Sequence, residues 1–115
     1  MHTYTASLFS RRMKTARQLS GLSQMQLGIR AGIDASSASS RINQYERGKH
    51  APDFLTVCNL AKVLCVPSAY FYAEEDALAE LISLFGQMKA AERKLLLACA
   101  DSLAKEVAAA QGGEE

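Results

Sequence analysis

The 115-residue chain is short of several things at once. No apolar run approaches the ~18 residues that cross a bilayer, so no membrane span is expected. The N-terminal stretch MHTYTASLFSRRMK lacks an apolar segment followed by a small-residue cleavage site, so no secretory signal is expected and the chain is placed in the cytoplasm. Three cysteines are an odd number, and none are paired at CxxC spacing, which fits a reducing compartment rather than a disulfide framework. His2 and His50 have no partners at metal-ligand spacing, so no metal is expected. No nucleophile–base arrangement and no glycine-rich phosphate loop are present, so neither catalysis nor a cofactor is expected. No segment alternates apolar and polar residues over a strand's length between turn signals, and no internal repeat is found.

What is present is unevenly charged. Residues 1–72 carry nine Lys/Arg and three Asp/Glu, a net +6, whereas residues 73–115 carry four and nine, a net −5. A basic globular half suits a polyanion, and the acidic half faces a different partner. The boundary falls at AEED, residues 73–76. The expected organisation is a domain over 1–73, a helical oligomerisation segment over 74–111 and a disordered tail over 112–115.

The periodicity is all helical. A first helix is expected from Tyr4 to Ser20 with Leu8, Phe9, Met13, Ala16 and Leu19 inward, ended by Gly21. Ser23 can cap a short helix that Gly32 stops. Asp53 starts a helix to Leu64 with Phe54, Val57, Leu60, Ala61 and Leu64 inward, and Pro67–Ser68 open a short helix ending near Tyr72. Leu78, Leu81, Ile82, Phe85 and Met88 form a further stripe, after which Gly86 and Lys89 loosen the chain. A last helix, 90–110, carries Leu96, Cys99, Ala100, Leu103 and Val107 on one side. Cys58 and Cys65 have no basic neighbours to activate a thiol, and the cysteines are expected to be small buried apolar residues.

The stretch from Gly32 to Pro52, GIDASSASSRINQYERGKHAP, has four serines within residues 36–40. With Ile42 at zero and 100° per residue, Ala35, Ala38 and Tyr45 fall within about 60° of it. Ser37, Ser40, Gln44 and Arg47 fall on the far side, at about 140–220°. A helix from Ala35 to Arg47, capped by Asp34 and ended by Gly48, fits this pattern. Serine is a mediocre helix former, and a solvent loop with the helix starting nearer Ser39 is the alternative.

Five blocks in order, LSQMQLG at 22–28, AGID at 31–34, YERGKHAP at 45–52, LAKVLCV at 60–66 and YFY at 70–72, together with Arg17, carry a resemblance. The chain resembles the phage-repressor (Xre/Cro-like) family of helix-turn-helix DNA-binding domains. The resemblance implies an all-α fold: a five-helix lambda-repressor-like domain, here followed by a C-terminal helical hairpin. It implies that the third helix lies in the major groove of double-stranded DNA, and that Arg17 and Glu46 pair. The helical angle independently puts Glu46 on the buried side, where an acid needs a partner; capping or facing water is the alternative. Two departures stand out. Glu46 follows Gly32 by fourteen residues where the family has about ten. Cys65 stands where the family often has glycine after a helix, a strained place for a residue with a Cβ.

Counting back from Glu46, the family's base-contacting positions fall on Ser39, Ser40 and Gln44. The face calculation favours Ser37, Ser40, Arg41, Asn43 and Gln44, with Ser39 at the edge. Gln44 and Asn43 suit adenine and Arg41 suits guanine, whereas serines discriminate weakly. Gln24 is a family phosphate-contact position, at a helix N-terminus that offers free N–H groups to an anion. Ser23, Arg47, Lys49 and His50 flank the same surface; Arg11, Arg12 and Lys14 can add charge, although a surface charge run is more often just a solvated face. The C-terminal stripes can fold back, pair as a hairpin or form a dimer. Dimerisation through Leu78, Leu81, Ile82, Phe85, Leu96, Leu103 and Val107 is favoured, because one such domain reads only a short half-site. The leading function is a transcription regulator, a repressor acting as a homodimer on a palindromic operator. The rival is an antitoxin whose acidic helices bind a toxin protein while the domain represses its own operon.

Overall fold

The computed structural model describes the backbone of residues 2–113 and the side chains of residues 8–112. Among the described residues every regular element is a helix. In order they are α1 (His2–Leu19), α2 (Gln24–Arg30), α3 (Ala35–Glu46), α4 (Phe54–Leu64), a 3-10 helix (Ser68–Tyr72), α5 (Asp76–Gln87) and α6 (Ala90–Gly113). The first four helices and the 3-10 helix enclose one core. Met13, Leu27, Ile42, Val57, Leu60 and Phe71 are its most deeply buried large side chains. The core extends to Ala79 of α5, and Ile82 packs against its edge.

Four helices end in the same way. Gly21, Gly32 and Gly48 follow α1, α2 and α3 with positive φ. After α3, the Gly48 and Lys49 N–H groups donate back to Tyr45 and Gln44, and α1 and α2 close with the same pair of bonds. This satisfies carbonyls that a helix end leaves orphaned. After α4 the same position is taken by Cys65, with φ 57°. Its N–H and that of Val66 donate to Lys62 and Ala61. The left-handed conformation is therefore imposed on a residue whose Cβ opposes it. Cys65→Gly is expected to raise stability by about 1 kcal/mol, because relief of the backbone strain exceeds the extra entropy glycine has when unfolded. Chemical denaturation checks this, as a shift of midpoint at unchanged slope.

The helix starts divide. Ser23 forms a capping box with Gln26, each side chain bonded to the other's backbone. Asp53 accepts from the Thr56 N–H at 2.9 Å, and bonds from Thr56 hold its carboxyl below the usual range. Asp34, expected to cap α3, stands at the right place but its side chain makes no capping bond.

Several expected inward residues face solvent. Leu19 is 82% exposed, Phe54 is 72% exposed, and Ala35 is exposed too. Leu19 ends α1, and Ala35 and Phe54 begin α3 and α4. Each is correctly phased on its stripe, but the stripe runs past the edge of the core. The cysteines are corrected as well: Cys65 and Cys99 are exposed and Cys58 is half-buried.

Gly86 does not loosen the chain. It lies inside α5, and a Cβ there would come within 2.7 Å of Pro67 Cδ, so it is a point of close approach. The break comes at Met88, whose backbone is extended. Lys89 N–H then donates to Glu92 Oε1 to start α6. Arg93 reaches back over the Phe85 ring and donates to the Phe85 and Gly86 carbonyls, which caps the end of α5. From Leu97 onward the described side chains of α6 are exposed. The helix continues through Gly113, where the sequence suggested a tail from 112; Glu114 and Glu115 lie outside the described residues.

Candidate nucleic-acid interface

α2 and α3 form one unit, joined by a turn through Gly32, Ile33 and Asp34. The contact between them is unusually close. Gly28 of α2 faces Ala38 of α3, and a Cβ on Gly28 would sit 2.7 Å from the Ala38 Cβ and 2.9 Å from its carbonyl oxygen. Both residues are buried. The backbone of one helix thus rests on the methyl group of the other, which sets their crossing.

α3 has helix geometry from Ala35, four residues before Ser39. The additional residues therefore extend the helix at its N-terminus and do not bulge from the turn. Twelve residues give a rod of about 18 Å. Ala38, Ile42 and Tyr45 are buried beneath it, and the Tyr45 carbonyl accepts a 2.6 Å bond from Ser10 of α1.

A polar chain runs from the core to the surface of this unit. The Glu46 side chain is 3% exposed and Arg17 is 13% exposed, and they form a two-point ion pair, with Arg17 Nη2 3.0 Å from Glu46 Oε1. The hydrogen bond to Glu46 raises the Arg17 pKa above its ordinary value, against the opposing effect of burial. Arg17 also donates to the Leu22 carbonyl at 2.9 Å, which ties the end of α1 to the approach to α2. Gln24 Nε2 donates to Glu46 Oε1 at 3.1 Å and to Asn43 Oδ1 at 3.3 Å.

A profile of the helix-turn-helix domain family matches residues 8–69, more than half the chain. The chain belongs to the helix-turn-helix family. Among solved structures it is similar to transcriptional regulator BswR, with 45% sequence identity and a TM-score of 0.75, over 81% of this chain and 92% of that one. No curated protein matches the chain by sequence. The family match runs from within α1 into the 3-10 helix and so includes all of α2 and α3, the pair that the resemblance assigns to DNA binding. The chain is thus a DNA-binding regulator by family and fold.

On the helix-turn-helix unit, Ser40, Arg41 and Arg47 are exposed, and Ser37, Ser39, Asn43 and Gln44 are half-buried. Ser23, Lys49 and His50 are exposed around it. Gln24, a phosphate-contact position by resemblance, has its amide turned inward here, with Nε2 donating to Asn43 Oδ1 and Glu46 Oε1. Arg12 also leaves the surface. It is buried, donates to the Ala73 carbonyl through Nε and Nη2, and reaches Asp76 at 2.9 Å. Arg12 and Arg11 together hold the Asp76 carboxyl below the usual range, and they anchor the start of α5 to α1.

The positive half of the chain is thereby sorted. Arg12 and Arg17 are structural, while Arg30, Arg41, Arg47 and Lys49 remain exposed on α2, α3 and the turn after α3. Arg30 is a residue that sequence reasoning passed over. Its only signal was charge at the end of α2, beside the turn. The role of Gln24 had no signal at all, because it depends on where α2 crosses α3.

Proposed function

We propose that the chain is a sequence-specific regulator of the Xre/Cro kind, a cytoplasmic repressor that binds a palindromic operator as a dimer. The observation that carries this reading is the outward side of α3. Beyond the exposed Ala35 that begins the helix, its outward groups are Ser36, Ser37, Ser39, Ser40, Arg41, Asn43 and Gln44, followed by Arg47 at the C-cap, and these are polar or cationic. The acid on the same helix, Glu46, is neutralised inside by Arg17. The small serines let the extended N-terminal turn approach the groove closely, while Arg41 and Gln44 supply the discriminating bonds to base edges. Ser23, Arg47, Lys49 and His50 hold phosphates on either side and fix the register.

Dimerisation rests on the C-terminal helices. Leu78, Leu81, Leu103 and Val107 are exposed in the single chain. Between α5 and α6 lies an open groove of about 420 Å³ lined by Leu81, Ile82, Phe85, Leu96, Leu97 and neighbouring small residues. Apolar side chains left exposed on both helices suit association with a second copy. Two copies joined there read an inverted repeat with half-site centres one helical turn, or a multiple of it, apart.

Selection of bound DNA from a random pool, followed by affinity measurements in rising salt, tests the reading. Absence of any enriched sequence would contradict it. Gln44→Ala is expected to lose discrimination at one base pair per half-site, about 1–3 kcal/mol. Lys49→Ala is expected to weaken all sequences alike and to reduce the salt slope by about one. Identical behaviour of the two variants would contradict the division into base and phosphate contacts.

A further inference from the structure

The bonds among Arg17, Glu46, Gln24 and Asn43 have a direction. Glu46, paired to the Arg17 guanidinium, has no proton to donate and only accepts. The end of Gln24 that faces Glu46 Oε1 at 3.1 Å must therefore be its NH₂ group. The same nitrogen lies 3.3 Å from Asn43 Oδ1. A donor there requires the Asn43 oxygen to turn inward, and the Asn43 NH₂ group then turns the other way. Rotating Asn43 by half a turn would set two NH₂ groups against each other. Rotating Gln24 would set its oxygen against a carboxylate oxygen. The ion pair in the core thus fixes, through two amides, which end of Asn43 is available. Asn43 lies three and four residues after Ser40 and Ser39, on the same side of α3.

We infer that Asn43 determines specificity as a fixed hydrogen-bond donor that selects guanine, and that Gln24 is the positioning residue that fixes it. This rests on the reading of α3 as the helix in the major groove. A free asparagine pairs with adenine by donating to N7 and accepting from the N6 amino group. With its oxygen held by Gln24, Asn43 turns that acceptor away. Guanine presents two acceptors, O6 and N7, and suits a donor; thymine O4 is second. The amino groups of adenine and cytosine meet it donor against donor.

The test is selection of bound DNA with the full chain, comparing the unaltered protein with Asn43→Ala, Gln24→Ala and Gln24→Lys, each first checked by thermal melting. The expected result is a guanine at one position of each half-site that loses its preference in Asn43→Ala. In Gln24→Ala, where Glu46 keeps Arg17, adenine enters at that same position and the guanine-to-adenine ratio falls about tenfold, with other positions unchanged. Gln24→Lys, which can only donate, restores guanine. Loss of fold alone moves no single base preference. Adenine at the Asn43-dependent position in the unaltered protein would overturn the inference, as would an unchanged ratio in Gln24→Ala or no position that depends on Asn43. A protein that enriches no sequence would overturn the functional reading with it.

Discussion

Glu46→Ala is expected to destabilise the domain by about 3–5 kcal/mol, because it leaves the Arg17 guanidinium largely buried with only the Leu22 carbonyl for a partner. For a chain of this size that is a fall in melting temperature of roughly 10–25 °C. The effect reaches beyond one pair. Gln24 loses the acceptor that orients it, so the contact between α2 and the last turn of α3 weakens with it. The double replacement Arg17→Met with Glu46→Leu separates these effects. It removes both charges together, and an ion pair replaced by apolar groups of similar volume is often neutral or better for stability. Melting temperature is therefore expected to recover in the double variant while base preference is not, since nothing then orients Gln24. Calorimetry on the three variants checks the first expectation, and binding to the selected operator checks the second. Equal melting of Glu46→Ala and the unaltered chain would mean that the pair contributes no stability.

How much of this was legible beforehand varies with the kind of interaction. The helices and their ends were legible because they depend on local chemistry. Gly21, Gly32 and Gly48 mark three ends, and Ser23 and Asp53 mark two starts. The extension of α3 was legible from angle alone, since the alanines and serines of residues 35–40 separate onto two sides of one helix. The inward stripes were right in phase and wrong in extent. Leu19, Ala35 and Phe54 are terminal residues of their helices, and where a core ends is set by neighbouring elements that periodicity does not contain.

The polar contacts divide in the same way. The burial of Glu46 followed from its angle, but its second partner did not, since Gln24 lies twenty-two residues away on another helix. Arg12 resembled any residue of a basic cluster, and only the position of the Ala73 carbonyl takes it inside. Two glycines were the least legible. Gly28 and Gly86 sit within helices, where glycine looks like a tolerated weakness. Both are places where another residue's atoms occupy the position of the missing side chain.

Of these, Gly28 sits against the proposed reading helix, and Gly28→Val is expected to abolish specific binding. The first carbon of any side chain there falls 2.7 Å from the Ala38 Cβ, 2.9 Å from the Ala38 carbonyl oxygen and 3.0 Å from its Cα. Two of those three atoms are backbone atoms of α3, so no rotation of a side chain relieves the clash. α3 has to move away from α2, carrying Arg41, Asn43 and Gln44 with it and drawing Asn43 and Glu46 from Gln24. Overpacking of this kind destabilises by about 3 kcal/mol, partly offset because glycine is itself a poor helix residue. The larger effect is on recognition, where base contacts fail once side chains are misplaced by about an ångström. Affinity for the selected operator is expected to fall at least a hundredfold toward the sequence-independent level, measured at a temperature where the variant is still folded. Ala38→Gly placed on top removes the Cβ contact and leaves the carbonyl contact, so it should restore stability only in part. Full binding by Gly28→Val would show that the close approach of α2 and α3 does not set the position of the reading helix.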